Sequence, residues 1–115
     1  MKQLEGNYNG YGGYRLYYRG WLPDDEPQAL LIIVHGLAEH GGRYQETAAY
    51  FAERGYGVFC HDHQGHGLSQ GDKGYIERFS TYSHDLNAFI DLVAAKYPNL
   101  PLFLLGHSLG ATIAI

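Results

Sequence analysis

The stretch Gly106-His107-Ser108-Leu109-Gly110 holds the residues of this sequence best suited by type and spacing to do chemistry. A serine hydroxyl is a weak nucleophile until a base takes its proton and donors stabilise the anion that its attack creates. Placed between a strand and a helix, the pattern GxSxG makes a turn tight enough to strain the serine backbone and lift its hydroxyl above a sheet. Gly106 and Gly110 are the mechanical requirement, because side chains there would collide with the neighbouring strand and helix. The serine also stands at a helix N-terminus, where backbone N–H groups and the helix dipole favour developing negative charge. On this reading Ser108 is the nucleophile and the N–H of Leu109 donates to the tetrahedral oxyanion. Five-residue matches also arise by chance, and the competing reading is a glycine-flanked turn with an incidental serine. The apolar LPLFLLG before the motif and the alanine-rich ATIAI after it are the strand and helix that the catalytic reading demands.

A second oxyanion donor should come from the turn after an earlier strand. In LLIIVHGLAEHGGRY, His35-Gly36-Leu37 ends an apolar run, at the sheet edge where reacting groups collect. The N–H of Leu37 is the candidate, and such a donor contributes about 3 to 4 kcal/mol to transition-state binding. The plainer alternative is that HG only ends the strand. His61, His63 and His66, with Asp62, are dense enough to raise a metal site, yet HDHQGH lacks zinc-type cysteine partners and an HExxH helix. No metal is expected, and these histidines are read as solvated or hydrogen-bonded loop residues. His40 and His107 read as structural or pocket-shaping groups and not as general bases.

The elements that must position these residues follow from periodicity. ALLIIVHG is a short β-branched run closed by glycine, which suits a strand buried on both faces, and YGVFCH at 56–61 is a second. Between them, Tyr44, Thr47, Ala48, Phe51 and Ala52 share a helical stripe over residues 43–54, with Gly55 as its C-terminal stop. Strand, helix, strand in that order is a parallel crossover. HDHQGHGLSQGDKGY is a polar, glycine-rich loop. Leu86, Phe89, Ile90 and Val93 predict a helix over about residues 81–97, ended by Pro98. LPLFLLG is then a third buried strand, and a helix begins at Leu109. The opening GNYNGYGGYRLYYRGWLP spaces Tyr8, Tyr11, Tyr14 and Tyr17 three apart. Either it is an aromatic recognition segment or, more plainly, turn chemistry followed by a strand over residues 14–21. PDDEPQ is an exposed connection. The expected class is α/β, a mostly parallel sheet flanked by helices in one domain spanning residues 1–115.

Bulk properties narrow the partners. With 45% hydrophobic and 17% charged residues, the chain is neither disordered by composition nor a membrane span. Its net charge of −4 and its singly scattered Lys and Arg lack the basic patch that nucleic acid requires. Cys60 is the single cysteine and reads as a small hydrophobe on a buried strand, which suits a reducing, cytoplasmic compartment. The N-terminal residues show no apolar core of the kind a signal peptide needs, so export is not indicated. Peripheral contact with a membrane stays open.

With these stretches placed, the sequence resembles the monoacylglycerol lipase and lysophospholipase branch of the α/β-hydrolases, the branch grouped with serine aminopeptidases. HGLAEHGGRY is similar to that branch's HGxxEHxxRY, HDHQGHGLSQG to DxxGHGxSxG, and FLLGHSLGATIAI to its nucleophile elbow. The resemblance implies Ser108 as nucleophile and the Leu37 and Leu109 amides as oxyanion hole. It implies His35, Gly36, Glu39, His40 and Arg43 as the wall around that hole, and Asp62, Gly65, His66, Gly67 and Ser69 as an ordered loop. Ala111 departs from it, where many relatives carry a second glycine, and its methyl group is expected to crowd helix packing slightly.

The resemblance also implies an acid and a histidine after the serine in chain order. Asp62, Asp72, Asp85 and Asp91 all precede Ser108. The chain therefore reads as the N-terminal portion of an α/β-hydrolase fold, cut after the elbow and without the cap and C-terminal part. The implied activity of the full-length form is cofactor-free hydrolysis of a small lipid ester, a monoacylglycerol or lysophospholipid. A non-catalytic binding module, a hydrolase of other esters or peptides, and a remnant with no stable fold are the alternatives. The 115 residues alone are expected to be inactive and, with LPLFLLG left as an open apolar edge, to self-associate.

Overall fold

The computed structural model describes residues 1–36, 40–73, 76 and 78–114. The strands are β1 (Lys2–Asn9), β2 (Arg15–Leu22), β3 (Ala29–Val34), β4 (Tyr56–His61) and β5 (Leu102–Gly106). The helices are α1 (Gln45–Ala52), entered through a 3-10 turn at Gly41–Tyr44, α2 (Phe79–Lys96) and α3 (Leu109–Ala114). One sheet joins the strands in the order β1-β2-β4-β3-β5. β3 pairs in parallel with both β4 and β5. On the other side β1 with β2, and β2 with β4, run antiparallel, so the sheet is mixed.

Alternation along β3 builds two layers of core. Leu30, Ile32 and Val34 face Tyr82, Leu86, Phe89 and Val93 of α2 and Ile113 of α3. Ile33 faces the other way, into a cluster with Trp21, Val58, Cys60 and the α1 residues Ala48 and Ala52. The period of two in β3 and the helical spacing in α2 thus meet across one interface. In α1, Ala48 and Ala52 are buried and Tyr44 and Phe51 pack beside them, whereas Thr47, expected on the same stripe, is exposed. Gly55 stops α1 at φ 97°, a left-handed conformation that a residue with a Cβ adopts only at a cost.

Three expectations need correcting. Residues 6–9, read as the start of turn chemistry, belong instead to β1, paired along its length with β2 in the register Gly6↔Tyr18. Only Leu4, Gly6 and Tyr8 turn inward from this edge strand, and they are half-buried, so the apolar signal is faint. Gly6 makes room for a ring, since a Cβ there would lie 2.7 Å from the Tyr18 ring. β5 forms as expected and is the open apolar edge foreseen for residues 1–115 alone, not the buried strand that its composition indicates. Phe103, Leu104 and Leu105 are 57%, 38% and 42% exposed because β5 is the edge beyond β3. Ala111 is exposed, so its methyl group crowds no packing.

Candidate active site

The registers carry the three motifs to one place. Val34 pairs with Gly106, and Ile33 with Cys60, so β3, β4 and β5 all end at the same edge of the sheet. His35-Gly36, Asp62-His63 and His107-Ser108 leave that edge together. Sequence analysis named each stretch, and the parallel registers bring them side by side.

At the elbow Ser108 is exposed, with φ 58°, and among the described residues it is the one non-glycine at positive φ. The turn is closed by His107 N–H donating to the Val34 carbonyl at 3.1 Å and Gly110 N–H donating to the His107 carbonyl at 2.9 Å. The demand for glycine on both sides is steric. A Cβ on Gly106 would sit 2.5 Å from the Ala111 Cα, and one on Gly110 would sit 1.9 Å from the Val34 carbonyl oxygen. Helix α3 is thereby pressed against the end of β3, and half-buried Leu109 is its first residue. Leu37 and Glu39 lie outside the described residues. His35 and Gly36 are buried, Arg43 is exposed, and His40 accepts from Gly42 N–H through Nδ1 at 3.1 Å, capping the 3-10 turn.

The loop after β4 is more tightly built than its composition indicates. Asp62 is fully buried, and one carboxylate oxygen accepts from Arg19 Nη1 at 2.9 Å and from Gly41 N–H at 2.6 Å. The other accepts from Leu68 N–H at 2.9 Å. Gly67, at φ 51°, must be glycine, because a Cβ would lie 2.3 Å from that second oxygen. Ser69 Oγ–H donates to the Asp62 carbonyl at 2.6 Å and Oγ accepts from Tyr17 N–H at 2.8 Å. Arg19 is the residue here that sequence reasoning missed; its only signal is a cation on the strand destined to lie beside β4.

The histidines are not solvated, which corrects one of the two readings given above; His61, His63 and His66 are buried. Burial, reinforced by the neighbouring His35, pushes the His63 pKa down to about 3. Burial and the nearby His63 hold His61 well below the ordinary imidazole range. Both are neutral at pH 7, and each is engaged: His61 with the Tyr8 hydroxyl, His63 with His35. Neither has the proton affinity of a general base at neutral pH. Among the described residues no group of three or more His, Cys, Asp or Glu side chains is arranged to hold a metal ion.

A strained serine elbow where parallel strands of a mixed sheet end, with the His35-Gly36 end of β3 beside it, is the arrangement of an α/β-hydrolase. The sequence matches the family described as serine aminopeptidase, S33, over residues 25–115, and the chain belongs to that family. It is 46% identical over 100 residues to the monoglyceride lipase homolog of Monkeypox virus, covering 87% of this chain and 36% of that one. Against the monoglyceride lipase of Homo sapiens the identity is 43% over 103 residues, covering 90% of this chain and 34% of the relative. The fold is similar to the crystal structure of a highly thermostable carboxyl esterase from Bacillus coagulans in complex with glycerol. That likeness has a TM-score of 0.89 at 31% identity and covers 99% of this chain and 39% of that one. The chain spans about a third of the length of the curated relatives it matches.

Proposed function

We propose that this chain carries the nucleophile and oxyanion side of a lipid carboxylic-ester hydrolase, acting on a monoacylglycerol or lysophospholipid. The observation that carries the reading is the Ser108 backbone at φ 58° between two glycines that cannot bear a Cβ. Ser108 Oγ attacks the ester carbonyl carbon and its proton passes to a histidine base, which follows the serine in chain order in α/β-hydrolases. The Leu109 and Leu37 amides hold the oxyanion, the assignment of Leu37 resting on its place after His35-Gly36. Collapse breaks the ester C–O bond, the imidazolium protonates the leaving alkoxide, and water then hydrolyses the acyl-enzyme. No cofactor enters these steps. A buried Cys60 suits a reducing, cytoplasmic setting, with peripheral contact where the lipid is presented. Among the described residues no helix is long and apolar enough to cross a membrane.

Hydrolysis of monoacylglycerol and lysophospholipid emulsions by the protein purified from its source tests the reading. Ser108→Ala is expected to lower kcat at least about 1000-fold. Turnover indifferent to that change, or saturable lipid binding without turnover, overturns it, the latter in favour of a binding module. Residues 1–115 by themselves are expected to show negligible turnover, since the acid and histidine that activate the serine follow it in chain order in α/β-hydrolases and are not among them. Serine-dependent hydrolysis at ordinary enzyme rates refutes that part.

A further inference from the structure

We infer that Asp62 and His63, the two residues leaving β4, are positioning residues that clasp the chain between His35 and Gly41 at both ends and so set the oxyanion side of the site. The catalytic half of this inference rests on the reading above, in which the Leu37 amide, inside that segment, is a donor.

At the near end the clasp is reciprocal. His63 N–H donates to His35 Nε2 at 2.9 Å, and His63 Nε2–H donates to the His35 carbonyl at 2.8 Å. Because His35 Nε2 accepts, its ring proton is on Nδ1, which donates to the Gly36 carbonyl at 2.7 Å. The two rings lie 3.9 Å apart between centroids. The tautomers and the backbone of His35-Gly36 therefore fix one another. At the far end the Asp62 carboxylate takes the Gly41 N–H at 2.6 Å, and the same oxygen is held by Arg19. A buried carboxylate is costly to keep, and this one is spent on three donors from three separate segments: β2, the turn before α1 and the loop at Leu68. Both ends are thus tied to consecutive residues that follow a central strand. Oxyanion donors act only within a few tenths of an ångström of their optimum, so such a tie bears on rate and not only on stability.

Asp62→Ala is the discriminating change, since it removes both carboxylate oxygens and takes that acceptor from Arg19, Gly41 and Leu68 together. In the protein purified from its source, kcat is expected to fall about 10- to 100-fold with KM within about twofold. Amide hydrogen exchange at Gly41 should quicken at least about tenfold. Arg19→Gln should move both in the same direction by a few-fold, and serves where Asp62→Ala does not fold. Gln70→Ala, which loses an exposed contact from Arg15 N–H and touches neither Asp62 nor His63, should leave Gly41 exchange and kcat unmoved. In the unaltered protein the Gly41 and His63 amides should exchange at least about 100-fold slower than in a free peptide. Unprotected amides overturn the clasp, as does Gly41 exchange that is unmoved by Asp62→Ala and Arg19→Gln. Quickened exchange with unchanged kcat overturns its catalytic half. If the unaltered protein lacks Ser108-dependent turnover, the hydrolase reading fails separately and exchange alone decides the clasp.

Discussion

At the scale of single residues, the site is defined by what cannot be there. Gly110 is forced by the Val34 carbonyl 1.9 Å from where its Cβ would be, and Gly106 by Ala111 at 2.5 Å. Between them Ser108 bears a Cβ at φ 58°. A left-handed conformation costs an L-residue with a Cβ roughly 1–2 kcal/mol, and glycine escapes that cost. Ser108→Gly is therefore expected to be more stable than Ser108→Ala by about 1 kcal/mol, and the preference of the position before a helix for glycine over alanine acts in the same direction. Urea unfolding of the two variants checks this; equal stabilities, or alanine the more stable, would show that the serine backbone holds no strain. The spacing GxSxG already demanded this geometry. The residues that hold the neighbouring turn were harder to read. Asp62 and Arg19 meet only because β2 lies beside β4, and an antiparallel pairing across the intervening β3 and α1 leaves no local mark in the sequence.

At the scale of elements, β4 and the residues just after it bring two neutral histidines into the interior. His61 stacks on Phe89 of α2 at 4.9 Å and meets the Tyr8 hydroxyl of β1, so three elements bear on one imidazole. Its pKa, and that of His63 at about 3, lie below the 6.5 of an unfolded histidine. Below pH 6.5 the unfolded chain then binds protons that the folded chain refuses, so stability is full above about pH 6.5 and falls as the pH drops toward the folded values. The loss is on the order of 1.4 kcal/mol per pH unit for each histidine. Denaturant titrations at pH 8, 7, 6 and 5 should give nearly constant stability over the upper pair and a steep decline over the lower. His61→Phe, which keeps the stack, should roughly halve the slope. A flat profile down to pH 5 would mean that the histidines are not buried as described. Periodicity located β3, β4, α1 and α2 within a few residues, because those elements are apolar on the faces they bury. It missed β1, where Leu4 and Tyr8 are the only large apolar residues turned inward, and it left the loop histidines undecided between solvent and interior. Burial of a polar loop depends on what packs over it, here Tyr82 against His63 and His66, and that is a tertiary fact.

At the scale of the whole molecule, the sheet is asymmetric: β1 closes one edge with a polar strand, while β5 presents an apolar one. The expected edge was legible in LPLFLLG, and the structure adds its two faces. Phe103 and Leu105 are in register with Leu31 and Ile33 and lie on the α1 side, with Leu104 beside Ile32 on the other. Phe103 and Leu105 help line a hollow of about 310 Å3 with Phe51 and Tyr56. Edge strands of this composition invite pairing with another strand, whereas natural edges are blunted by charge or by cover. Residues 1–115 in isolation are therefore expected to associate as concentration rises, in sedimentation velocity over about 5–100 μM. Phe103→Lys combined with Leu105→Lys places charge on the exposed face of β5 and should return the chain toward monomer, leaving Tyr18, Leu30, Ile32 and Phe59 of the α2-side core untouched. A chain that sediments as a monomer across that range, or whose association ignores both lysines, would place the adhesive surface elsewhere than on β5.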